Sequence, residues 1–264
     1  MTIPQLIFLS AIVPLVFLGA LALYLRPIIN IAGIAWIGII GVSTILLSTV
    51  YEEFVWSLLS VSSVESFLRE LGVAAGGADA ARVIRNIFRA IIGVSIPEDL
   101  GLVALFLLSH RYRSSSGSIE AQIFICAGAV LLFSCIENYL FFSKSGTGLG
   151  IVLVRYILAT PHHAARGLLL GASSAIHLDS VKTGVRSRFP LVGVGVAMFD
   201  HICYDFTIMM VAPSLRLHQS LSSMLWILVV LGLIGTMVCD LAVATGAIRR
   251  IRKTIDPASS ALLV

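Results

Sequence analysis

Residues 119–142 read IEAQIFICAGAVLLFSCIENYLFF, and this stretch decides the class of fold. Beyond Glu120 and Gln122 at its start it is apolar for about the 20 residues that a helix needs to cross a bilayer core of about 30 Å. Glu137 and Asn138 follow near its far end, still inside the apolar run. A helix that is apolar all round belongs in lipid or in a large core, and a bilayer leaves no exposed backbone group unpaired, so the run reads as a spanning helix and not as a strand. Six further runs of the same kind lie outward from it, at 6–25, 28–50, 90–109, 149–176, 189–211 and 221–248. The whole chain agrees: its 264 residues are 58% apolar and 12% charged, about half the charged share of an ordinary soluble domain. Its mean hydropathy is +1.01. These values exclude a secreted disulfide mini-domain, a disordered regulator and a free cytosolic enzyme. The expectation is an all-α fold, a polytopic transmembrane helical bundle of about seven spans. It forms one integral membrane domain over 1–264, with a core at about 90–211 and an interfacial segment at about 51–89.

The first run lacks a basic leader and is longer than the apolar part of a signal peptide, so it reads as a retained span. Basic residues then orient the chain. One set of alternate loops holds Arg26, Arg111, Arg113, Lys182, Arg186, Arg188, Arg249, Arg250, Arg252 and Lys253. The other set holds fewer: Arg69, Arg82, Arg85, Arg89, Lys144 and Arg216. This bias predicts a cytoplasmic C-terminus and an outside N-terminus in the cell membrane. The net charge of +4 is thus a matter of topology, and no nucleic acid is expected as a partner. Cys126, Cys135, Cys203 and Cys239 fall in apolar stretches without paired spacing and read as inert buried thiols. Between the second and third runs, Phe54, Trp56, Leu58, Leu59, Val64, Phe67 and Leu68 interleave with Glu65, Arg69 and Glu70. That pattern predicts an amphipathic helix lying in the interface. A break at 72–77 follows, then a second short helix over 78–90 with Arg82, Arg85 and Arg89 on one face.

An ionisable side chain deep in a bilayer is costly, so by default it faces the bundle interior and marks a functional site. Four consecutive runs carry such groups: Pro97-Glu98-Asp99, then Glu137-Asn138, then Arg155 with Pro161-His162-His163 and Arg166, then Asp200-His201 with Asp205. Asp205 shares a helical face with His201, four residues away. Arg155 is expected to neutralise Glu137 or to reach the interface. Asp200 and His162 each project about 100° away from the histidine beside them, so Asp200 is expected to pair with a basic residue and His162 to stay outside the site. Two hydrolytic chemistries use this set of residues. In one, two histidines and a carboxylate hold zinc while a second carboxylate acts as base. In the other, a carboxylate activates water without a metal, and imidazole and amide donors stabilise the oxyanion. The residues alone leave both open.

The order of these motifs resembles the PrsW family of intramembrane proteases, itself similar to the glutamic intramembrane endopeptidases that include the CAAX-processing enzymes. The resemblance rests on Glu98-Asp99, Phe133-x-x-x-Glu137-Asn138, Arg155 with Pro161-x-His163-Ala164 and Gly171, and His201-x-x-x-Asp205-Phe206, spanning 96–209. It implies a protease acting on membrane-anchored proteins or peptides within or just outside the lipid bilayer. Glu98 would be the water-activating base and Asp99 its support. Glu137, His163 and His201 would bind a metal, zinc by its chemistry, or surround the water if the mechanism is glutamic and metal-free. Asn138 would orient a neighbour or the scissile carbonyl, and Asp205 would fix a histidine tautomer. The family's Glu-Glu-x-x-Lys reads Glu98-Asp99-x-x-Leu102 here, so the missing cation is expected from Arg155 or Arg166. Asp205 stands where many relatives have Asn. Two other classes share parts of the pattern: a seven-span zinc amidase acting on lipid amides, and a non-enzymatic scaffold or transporter. Oligomeric state is not legible in the sequence.

Overall fold

The computed structural model describes residues 2–27, 29–58, 63–64, 66, 70, 84–85, 87–112, 118–143, 149–184, 187–216 and 223–255. In chain order the helices are α1 (Ile3–Leu25), α2 (Ile31–Leu58), α3 (Ile96–Tyr112), α4 (Ile119–Ser143), α5 (Leu149–Val154), α6 (Thr160–Thr183), α7 (Phe189–Arg216) and α8 (Ser223–Ile255). Two π-helical segments interrupt them: Arg89–Ser95 leads into α3, and Arg155–Ala159 joins α5 to α6 in one continuous rod. Among the described residues there is no strand. Short polar residues start the helices by satisfying amides that the first turn leaves free. Asn30 Oδ1 accepts from the Gly33 N–H at 2.9 Å, and Ser118 Oγ accepts from the Ala121 N–H at 3.2 Å. α6 ends at Gly184, whose φ of 71° suits a residue without a side chain.

Among the described residues six helices are long and apolar enough to cross a membrane: Ile3–Leu25, Ile31–Leu58, Ile91–Leu108, Ile119–Ser143, Phe189–Thr207 and Val230–Arg249. The fifth expected run, 149–176, is not among them. Its helix α6 is the centre of the bundle, packed against α4, α7 and α8, and every residue over 162–175 is buried. A helix that touches protein on all sides need not be apolar, and α6 is where the bundle concentrates its polar groups. α2 runs on to Leu58, so Phe54 and Trp56 belong to a long span and do not open an interfacial helix. Arg85 and Arg89 lie over the Trp56 ring, 3.7 Å and 4.1 Å from its centroid, and Arg89 pairs with Glu52. Most of the rest of the expected interfacial segment, including the 72–77 break with Arg69 and Arg82, lies outside the described residues.

α4 and α6 form the central pair. In lipid there is no hydrophobic force between helices, so close approach depends on small residues at the contact. Gly167 and Gly171 supply it, four apart on one face of α6. A Cβ at Gly167 would stand 2.9 Å from the Val130 Cβ, and one at Gly171 would stand 2.9 Å from the Ile123 carbonyl oxygen. The second contact is with backbone, which cannot swing aside. Gly171→Val is therefore expected to destabilise the bundle by about 1–3 kcal/mol, read as a lower melting temperature of the detergent-purified protein. An unchanged melt would show that α4 and α6 separate freely.

Candidate active site

Two prolines shape the site. Pro97 and Pro161 have no N–H to donate, and a proline ring in a straight helix meets the carbonyl four residues back. The chain responds by widening the turn before each one. The Ile96 N–H bonds to the Ile91 carbonyl and the Thr160 N–H to the Arg155 carbonyl, each five residues back instead of four. Each extra residue turns the following segment by about 100° relative to an unbroken α-helix. Glu98 and Asp99 follow the first widened turn, His162 and His163 the second. Sequence reading treated both stretches as plain helix, although the prolines were the available signal.

The acid pair, the two site histidines and two arginines meet inside the bundle. Asp99 Oδ2 lies 3.3 Å from His201 Nδ1, and Glu98 Oε2 lies 3.6 Å from His201 Nε2. Asp205, one turn on along α7, brings Oδ2 to 3.1 Å from the same Nε2 and accepts from Ser95 Oγ at 2.9 Å. His201 thus has carboxylates at both ring nitrogens. Arg166 connects the two halves. Its Nε is 3.4 Å from Asp99 Oδ1, its Nη2 is 4.0 Å from Glu98 Oε2, and that Nη2 donates to His163 Nδ1 at 2.9 Å. A guanidinium can only donate, so His163 accepts at Nδ1 and donates from Nε2 to Glu137 Oε2, 2.9 Å away. Arg155 completes the second half, with Nη2 2.5 Å from Glu137 Oε2 and Nε donating to Asn138 Oδ1 at 2.7 Å. Asn138 Nδ2 in turn donates to Thr160 Oγ1 at 3.2 Å. Phe133 packs against the His163 ring, centroids 5.8 Å apart.

All seven candidate residues named from the sequence lie in this one network. Arg155 serves Glu137, while Arg166 stands beside the acid pair, where the motif lacks its lysine. Leu102, at the lysine position, is buried in the apolar core. His162 and Asp200 turn away and pair with each other, Nε2 to Oδ2 at 2.8 Å. Sequence reading missed Ser95, which gave no signal, and Asp240, whose signal was an acid in the middle of the last apolar run. A small cavity of about 10 Å³ is lined by Thr44, Glu98, Asp99, Leu102, Val130, Phe133 and Arg166, which is room for one water. Further out, a groove of about 470 Å³ lies between Pro97 and the α2 residues Leu47, Ser48, Val50, Tyr51 and Phe54.

Imidazole and carboxylate are the donors that zinc takes, so the side chains fit a metal in kind. Their arrangement does not close around one point: among the described residues no three His, Cys, Asp or Glu side chains are placed to hold one ion. Glu137 and His163 bond to each other, and the His163 and His201 ring centroids are 6.3 Å apart. Arg166 also directs the His163 lone pair to Nδ1, leaving a hydrogen and not a donor pair at Nε2.

No curated protein and no solved structure matches the chain. The model of the PrsW family of intramembrane metalloproteases does, over residues 15–234. That match reaches well beyond the 96–209 covered by the polar motifs, into the spans that flank the site on both sides. With apolar spans around a buried acid and histidine centre, the chain is an integral membrane protease and belongs to the PrsW family of intramembrane metalloproteases.

Proposed function

We propose that the protein cuts membrane-anchored proteins by activating a water on Glu98. The observation that carries this reading is the water-sized cavity against Glu98 and Asp99 inside the bundle, at a depth where ionisable groups are costly and mark a functional site. Glu98 takes a proton from the water, the resulting hydroxyl attacks the scissile carbonyl, and Glu98 returns the proton to the leaving amide nitrogen. His201, held by Asp99 at Nδ1 and facing both Asp205 and Glu98 at Nε2, fixes the position of the Glu98 carboxyl beside the water. His163 and Glu137 wall the other side of the reacting centre. Asn138 orients Arg155, which holds Glu137.

The substrate is a membrane-embedded chain in extended form. The groove beside Pro97 supports this, because its lining is mostly apolar and Pro97 immediately precedes Glu98 in the chain. Thr44 in the cavity and Ser48 in the groove sit one turn apart on α2, a polar track along which water and backbone can meet. The whole chain, 1–264, acts as one membrane domain with its core at 90–211, in the cell membrane with its C-terminus in the cytoplasm.

The metal question has a direct test. Elemental analysis of the purified protein beside a His163→Ala/His201→Ala double variant, with cleavage of a single-span reporter followed under chelation, separates the two chemistries. With His163 committed to Arg166 and Glu137, the expected result is no zinc above the variant and cleavage that survives the chelator. Stoichiometric zinc lost in the variant would instead assign the water to a metal.

A further inference from the structure

Three ionisable side chains that the reaction does not use meet on the far side of α6 and α7. His162 of α6 and Asp200 of α7 form the 2.8 Å pair, and Thr236 and Asp240 of α8 lie against the same Asp200 carboxyl. The Tyr204 ring stacks on His162, centroids 4.6 Å apart. His162, Asp200 and Asp240 are each 3% exposed or less. Outside this cluster neither carboxyl has a hydrogen-bond partner among the described residues.

The spacing ties this cluster to the site. His162 precedes His163, Asp200 precedes His201 and Tyr204 precedes Asp205. Successive helical residues point about 100° apart, so the rotation of α6 and α7 that seats His162 on Asp200 is also the rotation that aims His163 at Glu137 and His201 at Glu98. The rest of the buried stripe of α8 is apolar, with Leu233, Ala244, Ala247 and Ile248. Such a stripe packs but does not lock rotation, because apolar contact in lipid has little direction. Asp240 supplies the direction as the proton-bearing member of a carboxyl pair, its O–H donating to the Asp200 carboxylate, since two buried carboxylates in contact would repel, and it lies beyond the 15–234 matched by the family model.

We infer that Asp240 is a positioning residue: through Asp200 and His162 it sets the rotation of α6 and α7 and so the aim of His163 and His201. This inference rests on the site reading above. An apolar residue at 240 would be the easier one to bury, so the carboxyl is kept for what it holds and not for stability.

The test compares wild type, Asp240→Leu, Asp240→Asn and His163→Ala in proteoliposomes with a single-span reporter, together with melting and nitrogen NMR of the imidazoles. Asp240→Leu should melt at or above wild type, yet lose about 10- to 100-fold in kcat with KM little changed, the size of effect that a small misplacement of reacting groups produces. Asp240→Asn, which keeps a polar head of the same shape, should recover most of that loss. The His163 and His201 signals should move in Asp240→Leu while that of the exposed His177 stays. Wild-type kcat and unmoved signals in Asp240→Leu, with His163→Ala inactive, would overturn the inference and leave the site reading standing. A fully active His163→Ala would sink the site reading, and the imidazole signals alone would then decide whether Asp240 sets the rotation.

Discussion

Glu98→Gln is expected to abolish cleavage of a membrane-anchored reporter, lowering kcat by at least about 10²- to 10⁴-fold, the contribution of a positioned general base. The amide has nearly the shape of the carboxylate, so packing around the cavity is preserved. It cannot take a proton from water. The substitution also removes one negative charge from a centre where Glu98, Asp99 and Asp205 crowd a single imidazole. Melting should therefore stay at the wild-type value or rise, and loss of activity cannot be assigned to misfolding. Asp99→Asn should cost less, because Asp99 acts through His201 and Arg166 and an amide oxygen can still accept from either. Wild-type turnover in Glu98→Gln would move water activation to another residue.

Arg155→Leu is the second large effect, and it falls on stability. Arg155 is 7% exposed and is the cation on Glu137, with its Nε also held by Asn138. Removing one member of a buried ion pair leaves the other uncompensated, a loss of about 3–5 kcal/mol when burial is complete. The Glu137 side chain retains 26% exposure, so the loss should fall toward the lower end. The double variant Arg155→Leu/Glu137→Leu should regain most of the stability, since two apolar side chains replace two charges. It should not regain activity, because Glu137 also holds His163. Melting and reporter cleavage on the three variants check this. Full stability in Arg155→Leu alone would mean that Glu137 finds another cation or water.

Arg155 and Arg166 also mark where sequence reading runs out. Both are candidates to replace the missing cation beside Glu98 and Asp99, and although Arg155 is also expected to neutralise Glu137, nothing in the linear order assigns Arg166 to the acid pair. Three-dimensional placement does, because each arginine can serve only the carboxylates that the rotation of its helix brings within reach. Arg155 sits inside the widened turn and faces Glu137, while Arg166 is past it and faces Asp99. The π segments that separate them follow from prolines 97 and 161, but a proline licenses a kink, a break or a widened turn alike. The packing of α2, α4 and α7 around those turns selects among them.

From the chain alone came the bilayer as solvent, the helical class, the run of polar groups across four consecutive segments and the family. Each of these depends on hydropathy, helix length or residue order, which are local and additive along a chain. Tertiary structure alone decided that α6 is enclosed rather than facing lipid, that His162 and Asp200 form their own cluster with Asp240, and that His163 is committed to Glu137 and Arg166. These depend on the tilt and rotation of whole helices. Contacts among the helices set tilt and rotation together, so no single stretch of sequence encodes them.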